Sequence, residues 1–199
     1  MSPQPRNLSS VDLPAGTLLL KAADFSARRH TDQRRKGELM VPYVNHPIRV
    51  AWYLASVGGI ESVEILCAAL LHDTIEDTDT TEEELRREFG DAITDLVLEV
   101  TDDKSLPKAE RKRRQVLHAA EVSDGAAVIK LADKTSNVED IAESPPANWT
   151  LQRRIEYLDW TERVVNELTD VNEALERHYR DTLAHARETI AREEAASTD

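Results

Sequence analysis

The sequence predicts an all-α fold, and three observations carry that prediction. Apolar residues recur at three- and four-residue spacing along most of the chain, as in Ile93, Leu96, Val97 and Val100. No run alternates apolar and polar residues as a half-buried strand would, and no segment repeats. Proline and glycine punctuate the ends of the periodic stretches. At 199 residues, 40% hydrophobic and 32% charged, the chain can bury a real core within one domain, a helical bundle of about eight to ten helices.

Residues 1–14, with Pro3, Pro5 and Pro14 among polar neighbours, read as a flexible leader. The first helix is expected from Thr17 to about His30, carried by Leu18, Leu19, Ala22, Ala23 and Phe25. A polar loop, 31–44, leads into Asn45-His46-Pro47, which has the form of an N-cap region with proline in the first helical turn. That helix continues through Val50 and Leu54 until Gly58-Gly59. The next is expected from Glu61 to Asp73 or beyond. Thr80 to Phe89 follows as a short amphipathic helix, with Thr81 and Glu84 at capping-box spacing and Gly90 as the stop. Asp91 to about Val100 forms another, and Pro107 opens a strongly basic helix to about Val122.

Asp124 is expected to cap a helix from Gly125 to about Ala142, which Pro145-Pro146 end. Two more helices are expected, about 150–168 and 171–194. The last is weakly apolar and ends in a polar tail, so 171–199 is set apart as a C-terminal helical extension from a main domain at 15–170. Whether it serves as an accessory element or binds a partner is left open.

A net charge of −13 disfavours nucleic acid and anionic membranes as partners. The single cysteine, Cys67, lies in an apolar run and fits a reducing compartment. No apolar stretch approaches the roughly 20 residues that span a bilayer, so a cytoplasmic protein is expected. Two segments reverse the overall sign: 21–40 carries a net +3 and 108–114 a net +4. Such clusters suit a phosphorylated substrate. Arg35-Lys36 stands on the loop that leads to His46, where both side chains could hold phosphate oxygens beside a metal.

The chemistry is concentrated in His72-Asp73-Thr74-Ile75-Glu76-Asp77, which leaves the apolar run ending at Leu71. An imidazole next to a carboxylate suits a divalent first-row metal, and the lack of thiolate argues against structural zinc. If the helix continues, Glu76 and Asp77 stack one turn above His72 and Asp73, an arrangement for metal-assisted hydrolysis. His46 is a further candidate ligand. So is Asp133, a carboxylate within the run Ala126 to Ala132 that needs a cation or hydrogen bonds if buried. Lys130, Asp133, Lys134, Asn137 and Asp140 form a stripe that reads equally as a functional line or a solvated helix face.

Tyr43-Val44-Asn45-His46-Pro47, Ala69-Leu70-Leu71-His72-Asp73-Thr74-Ile75-Glu76-Asp77-Thr78 and Val128-Ile129-Lys130-Leu131-Ala132-Asp133-Lys134 together resemble the HD-superfamily hydrolase domain of RelA/SpoT homologues. Glu99 to Lys108 adds to the likeness, which is closest to the small alarmone hydrolases of the metazoan SpoT-homologue type. The resemblance implies an HD-type metal-dependent phosphohydrolase with Mn²⁺ held by His46, His72, Asp73 and Asp133. It implies Glu76 and Asp77 as catalytic carboxylates, though as a second possibility they only make supporting contacts. Arg35, Lys36, Lys130, Asn137 and Tyr157 would bind substrate.

The implied reaction removes the 3′-pyrophosphate of guanosine tetra- or pentaphosphate. Alternatives are removal of the 2′-phosphate of NADPH or another nucleotide phosphohydrolysis, and a catalytically silent nucleotide- or partner-binding module. A homo-oligomer is left open. Thr135 and Ser136 stand where the family places an apolar and an aromatic or histidine residue, and Glu139-Asp140 where it places a basic one. Substrate choice is therefore expected to be set around Thr135, Ser136, Asn137 and Tyr157.

Overall fold

The computed structural model describes residues 13–37, 39–168 and 171–196. The helices are α1 (Ala15–Arg29), α2 (Asn45–Ser56), α3 (Val63–Leu71), α4 (Thr74–Asp77), α5 (Glu82–Phe89), α6 (Asp91–Val100), α7 (Lys108–Leu117), α8 (Asp124–Glu143), α9 (Leu151–Glu167) and α10 (Glu173–Ala196). A 3-10 turn at Ala119–Glu121 links α7 to α8. Among the described residues there are no strands, only the isolated bridges Arg34 to Pro42 and Gly37 to Pro146. The leader at 1–12, and the end of the tail at 197–199, lie outside the described residues.

Two central helices organise the rest. In α3, Cys67, Ala68, Ala69, Leu70 and Leu71 are all buried, which is why its sequence is apolar on every side. It packs against α1, α2, α6 and α8. The second, α8, is buried over most of its circumference, and α2, α6, α9 and α10 surround it. Hydroxyl caps fix where several helices start. Ser62 accepts from the Ile65 amide, Thr81 from Glu84, Ser123 from Ala126 and Thr150 from Arg153, at 3.2–3.3 Å.

Four boundaries differ from expectation. Asn45 is the first residue of α2 and makes no side-chain cap; Ser123, not Asp124, caps α8. The basic helix α7 is shorter than expected, ending at Leu117. The helix expected to run through Asp73 stops at Leu71 and restarts as α4. Side chains cause this break by competing for the carbonyls of the helical ladder. His72 Nδ1 donates to the Ala69 carbonyl at 2.8 Å, and Thr74 Oγ1 donates to that of Leu71 at 2.7 Å.

The loop after α1 is anchored to the end of α8. A Cβ on Gly37 would lie 2.4 Å from the Ser144 carbonyl oxygen, so only glycine permits that approach. The contact carries Arg35 and Lys36 over the C-terminal half of α8.

The last helix belongs to the same core. Leu175, Tyr179, Leu183, Ala186 and Ile190 are buried, and the Tyr179 hydroxyl donates to Thr161 Oγ1 at 2.9 Å. Asn172 caps α10 through the Leu175 amide and donates to the Gly58 carbonyl, both at 3.0 Å. Leu175, 1% exposed, fills the space beside Gly58. Leu175→Ala should therefore cost about 2–5 kcal/mol in denaturant unfolding, the range for a buried leucine that leaves a cavity. A cost under about 0.5 kcal/mol, the surface value, would mean that α10 does not share the core. Among the described residues, no helix is long and apolar enough to cross a membrane.

Candidate metal centre and catalytic cleft

Three packed helices bring the expected ligands together: α2 supplies His46, the end of α3 supplies His72 and Asp73, and the middle of α8 supplies Asp133. His46, His72 and Asp133 each offer an atom within 4.8 Å of the others. His46 Nε2 lies 3.1 Å from Asp133 Oδ1 and 3.7 Å from Asp73 Oδ2. His72 Nε2 lies 3.0 Å from Asp73 Oδ2 and 3.8 Å from Asp133 Oδ1. Both imidazoles are buried.

The arrangement calls for a proton or a metal ion at its centre. Since a carbonyl can only accept, His72 Nδ1 carries a proton, and the Nε2 of a neutral ring carries a lone pair. That Nε2 is buried without a hydrogen bond and faces two carboxylates. Lone pairs opposed at that distance repel unless a proton or a metal ion lies between them. Burial pulls His72 down, but Asp73 and Asp133 outweigh it and lift the imidazole to about 9. For His46, burial and the Arg35 charge prevail, and its value falls. Burial works to raise Asp73, yet His72 and His46 hold it below its ordinary range. Asp133, likewise raised by burial, is held down by Lys134 and both histidines. Two imidazoles and two carboxylates without thiolate fit a divalent first-row ion.

Neighbours orient these groups. The Tyr43 hydroxyl donates to Asp73 Oδ2 at 2.6 Å. Lys134 Nζ and Asn137 Nδ2 donate to the two oxygens of Asp133 at 2.9 and 2.6 Å. His46 Nδ1 pairs with Ser136 Oγ at 3.0 Å. Outer contacts of this kind fix ring orientation and ligand basicity.

The cluster adjoins a cleft of about 420 Å³ lined by Glu76 and Asp77 on one wall and by six cations, Arg34, Arg35, Lys36, Lys108, Arg111 and Lys112. Glu76 accepts from the Asp102 amide at 3.2 Å and from Arg111 at 3.4 Å. Burial, then the charge of Asp73, push it up to about 7. Asp77 is paired with Lys104 and accepts from Gln33 Nε2 at 2.9 Å. Arg35 is held by Asp140 at 2.5 Å and donates to Asn137 at 2.7 Å. Trp149, Tyr157 and Trp160 form an aromatic wall, with Lys112 Nζ 4.4 Å from the Trp160 ring centre. Burial and the charges of Lys108 and Lys134 depress Lys112 to about 8. Crowded cations of this kind invite a polyanion.

Of the substrate-side residues expected from sequence, Arg35, Lys36, Asn137 and Tyr157 line this cleft. Lys130 does not; it lines an adjoining hollow of about 210 Å³ that shares Asp102 and Arg111. The expectation for Thr135 and Ser136 is corrected. Both are 1% exposed and face the interior, with Thr135 Oγ1 on the Leu131 carbonyl and Ser136 on His46. Larger side chains there would meet packed core and would not line the pocket. The stripe on α8 is no solvated face either: Lys134 is buried and the other four residues are half-buried.

Sequence reasoning left Tyr43, Gln33, Lys108, Arg111, Lys112 and Trp149 without individual roles. The signal for the α7 cations was present, since positions 108, 111 and 112 share a helix face inside the +4 run.

Comparison with known proteins gives one consistent likeness. Residues 22–158 match the HD domain family. A human protein named guanosine-3′,5′-bis(diphosphate) 3′-pyrophosphohydrolase MESH1 is 51% identical over 158 residues, covering 79% of this chain and 88% of the relative. Its namesake from Drosophila melanogaster is 45% identical over 157 residues, with coverage of 79% and 88%. A solved structure described as a metazoan ortholog of SpoT that hydrolyses ppGpp aligns with a TM-score of 0.81. It has 42% identity and covers 83% of this chain and 93% of that one. A Listeria monocytogenes protein shares the fold at a TM-score of 0.61 and 24% identity, over 75% of this chain and 98% of its own.

Proposed function

This chain belongs to the HD-domain family, and from that premise we propose that it hydrolyses the 3′-pyrophosphate of guanosine tetra- or pentaphosphate. The products are GDP or GTP and pyrophosphate. One observation carries the reading: two buried histidines with two half-buried aspartates adjoin a cleft that pairs a carboxylate wall with six cations. The names of the relatives support the same substrate. We take the resident ion to be Mn²⁺. Held by His46, His72, Asp73 and Asp133, it would polarise a phosphoryl oxygen and acidify a water.

The chain's own residues do the rest. Glu76, poised near neutrality, takes a proton from the water that attacks the phosphorus bonded to the ribose 3′ oxygen. The bond between that phosphorus and the 3′ oxygen breaks, and the oxygen leaves as a hydroxyl, taking a proton from solvent, to which Glu76 returns the one it removed. Arg35 and Lys36 offset charge on the pyrophosphate as it forms. Asp77, tied to Lys104 and Gln33, holds its carboxylate beside Glu76. Asn137, Tyr157 and Trp149 face the nucleoside side, where the metal cannot discriminate between substrates.

One panel tests the proposal: purified protein with Mn²⁺, offered guanosine tetraphosphate, its adenosine analogue, NADPH and 5′-nucleotides. Pyrophosphate from the 3′-pyrophosphates alone is the expected outcome. Inorganic phosphate from NADPH alone would replace the reading by a 2′-phosphatase, and binding without product would replace it by a silent nucleotide-binding module.

A further inference from the structure

Ser136 is absorbed neither by the cleft nor by the carboxylate wall. We infer that it is the positioning residue of His46, holding the imidazole so that Nε2 is presented to the metal position; this rests on the metal reading above. Ser136 Oγ stands 3.0 Å from His46 Nδ1, with Ser136 1% and His46 4% exposed, so water cannot readily replace the contact. On its other side, His46 Nε2 lies 3.1 Å from Asp133 Oδ1.

The two histidines are held by chemically different partners. The Ala69 carbonyl only accepts, so it fixes the proton of His72 on Nδ1. A hydroxyl both donates and accepts. With Nε2 protonated toward Asp133, the Ser136 hydroxyl donates to Nδ1. Were Nε2 to face a cation, Nδ1 would carry the imidazole proton and Ser136 Oγ would accept it. One ring is therefore preset by a pure acceptor, while the other keeps its buried hydrogen bond whichever of its nitrogens carries the proton. Alanine would leave Nδ1 with no partner in either state. Neighbouring Thr135 is a built-in control, equally buried but bonded to the Leu131 carbonyl and away from the histidines.

The test measures the Mn²⁺ dissociation constant from the electron paramagnetic resonance of free Mn²⁺, together with the thermal midpoint of metal-free protein. Ser136→Ala should weaken Mn²⁺ binding by about 10- to 100-fold, the usual effect of losing a partner behind a ligand. Ser136→Cys keeps the bulk with a weaker acceptor and should fall between, which preserves the test if the alanine variant does not fold. Thr135→Val should bind Mn²⁺ like wild type even where its thermal midpoint falls. Wild-type affinity in both Ser136 variants, or an equal loss in Thr135→Val, would overturn the assignment while leaving the metal reading intact. A wild-type protein that binds no Mn²⁺ would overturn both.

Discussion

Asp133→Asn should abolish turnover and metal binding together, with a loss of more than about 10³-fold in kcat/KM. Losing a Lewis acid removes several kcal/mol of transition-state stabilisation, and each 1.36 kcal/mol is tenfold. This carboxylate does three jobs at once. It faces both imidazoles, at 3.1 and 3.8 Å, and accepts from Lys134 and Asn137. Lys134 is buried, and although burial lowers it, Asp133 prevails and keeps it charged. Removing one member of a buried pair costs about 3–5 kcal/mol, so the variant should also unfold more readily. His72→Gln separates the effects, because it removes a ligand and leaves the Lys134 counter-ion in place. Metal content by elemental analysis and turnover of guanosine tetraphosphate are the measurements. A His72→Gln protein that stays folded and retains both full metal content and full turnover would remove that position from the metal site.

The candidate ligands stand out in the sequence because their chemistry is local. His72-Asp73 is a contiguous pair, His46 enters a helix beside proline, and Asp133 is a carboxylate that an apolar helix would otherwise reject. The helices were legible for a related reason: periodicity and caps act within one turn, and Asp91–Val100 begins and ends where its residues say it should. What sequence did not yield is set by competition or by distance along the chain. The break after Leu71 arises because His72 and Thr74 side chains capture carbonyls that a helix would use, an outcome that spacing alone cannot distinguish from continuation. Ser136 was expected at the pocket because it stands where the family places an aromatic or histidine residue. A rotation of about 100° per residue turns it away from Asn137 and into the interior, where it meets a histidine 90 positions earlier. The α7 cations were visible as a charge run. Their convergence on Glu76 and the aromatic wall depends on α7 packing against α9, which no local pattern encodes.

Glu76→Gln should lower kcat by about 10²- to 10⁴-fold while metal remains bound, the range for a lost general base. The carboxyl is surrounded by Asp73, Asp77 and Asp102 and is mostly buried, which together push it up to about 7. A base must be ionised to act, so log kcat/KM in the wild type should rise with pH at unit slope and level off once Glu76 is deprotonated. A cation in the nearby cluster pulls a carboxyl down, so that limb should fall at or below about pH 7 in the metal-loaded enzyme. The substituted amide has no proton to gain or lose there, and the limb should vanish with the rate.

Stability moves the opposite way. The folded value lies above that of the unfolded chain, so the metal-free native state binds the extra proton between the two values. Its stability falls as pH rises through that window, from about 4.5 to about 7. Glutamine removes that penalty, and metal-free Glu76→Gln should melt higher than wild type at pH 8 and equally at pH 4. A slow variant that is also more stable at high pH would identify Glu76 as a group strained for catalysis. A variant with unchanged turnover and an unchanged pH profile would leave Glu76 as a bracket for the Asp102 amide and pass the base role to Asp77.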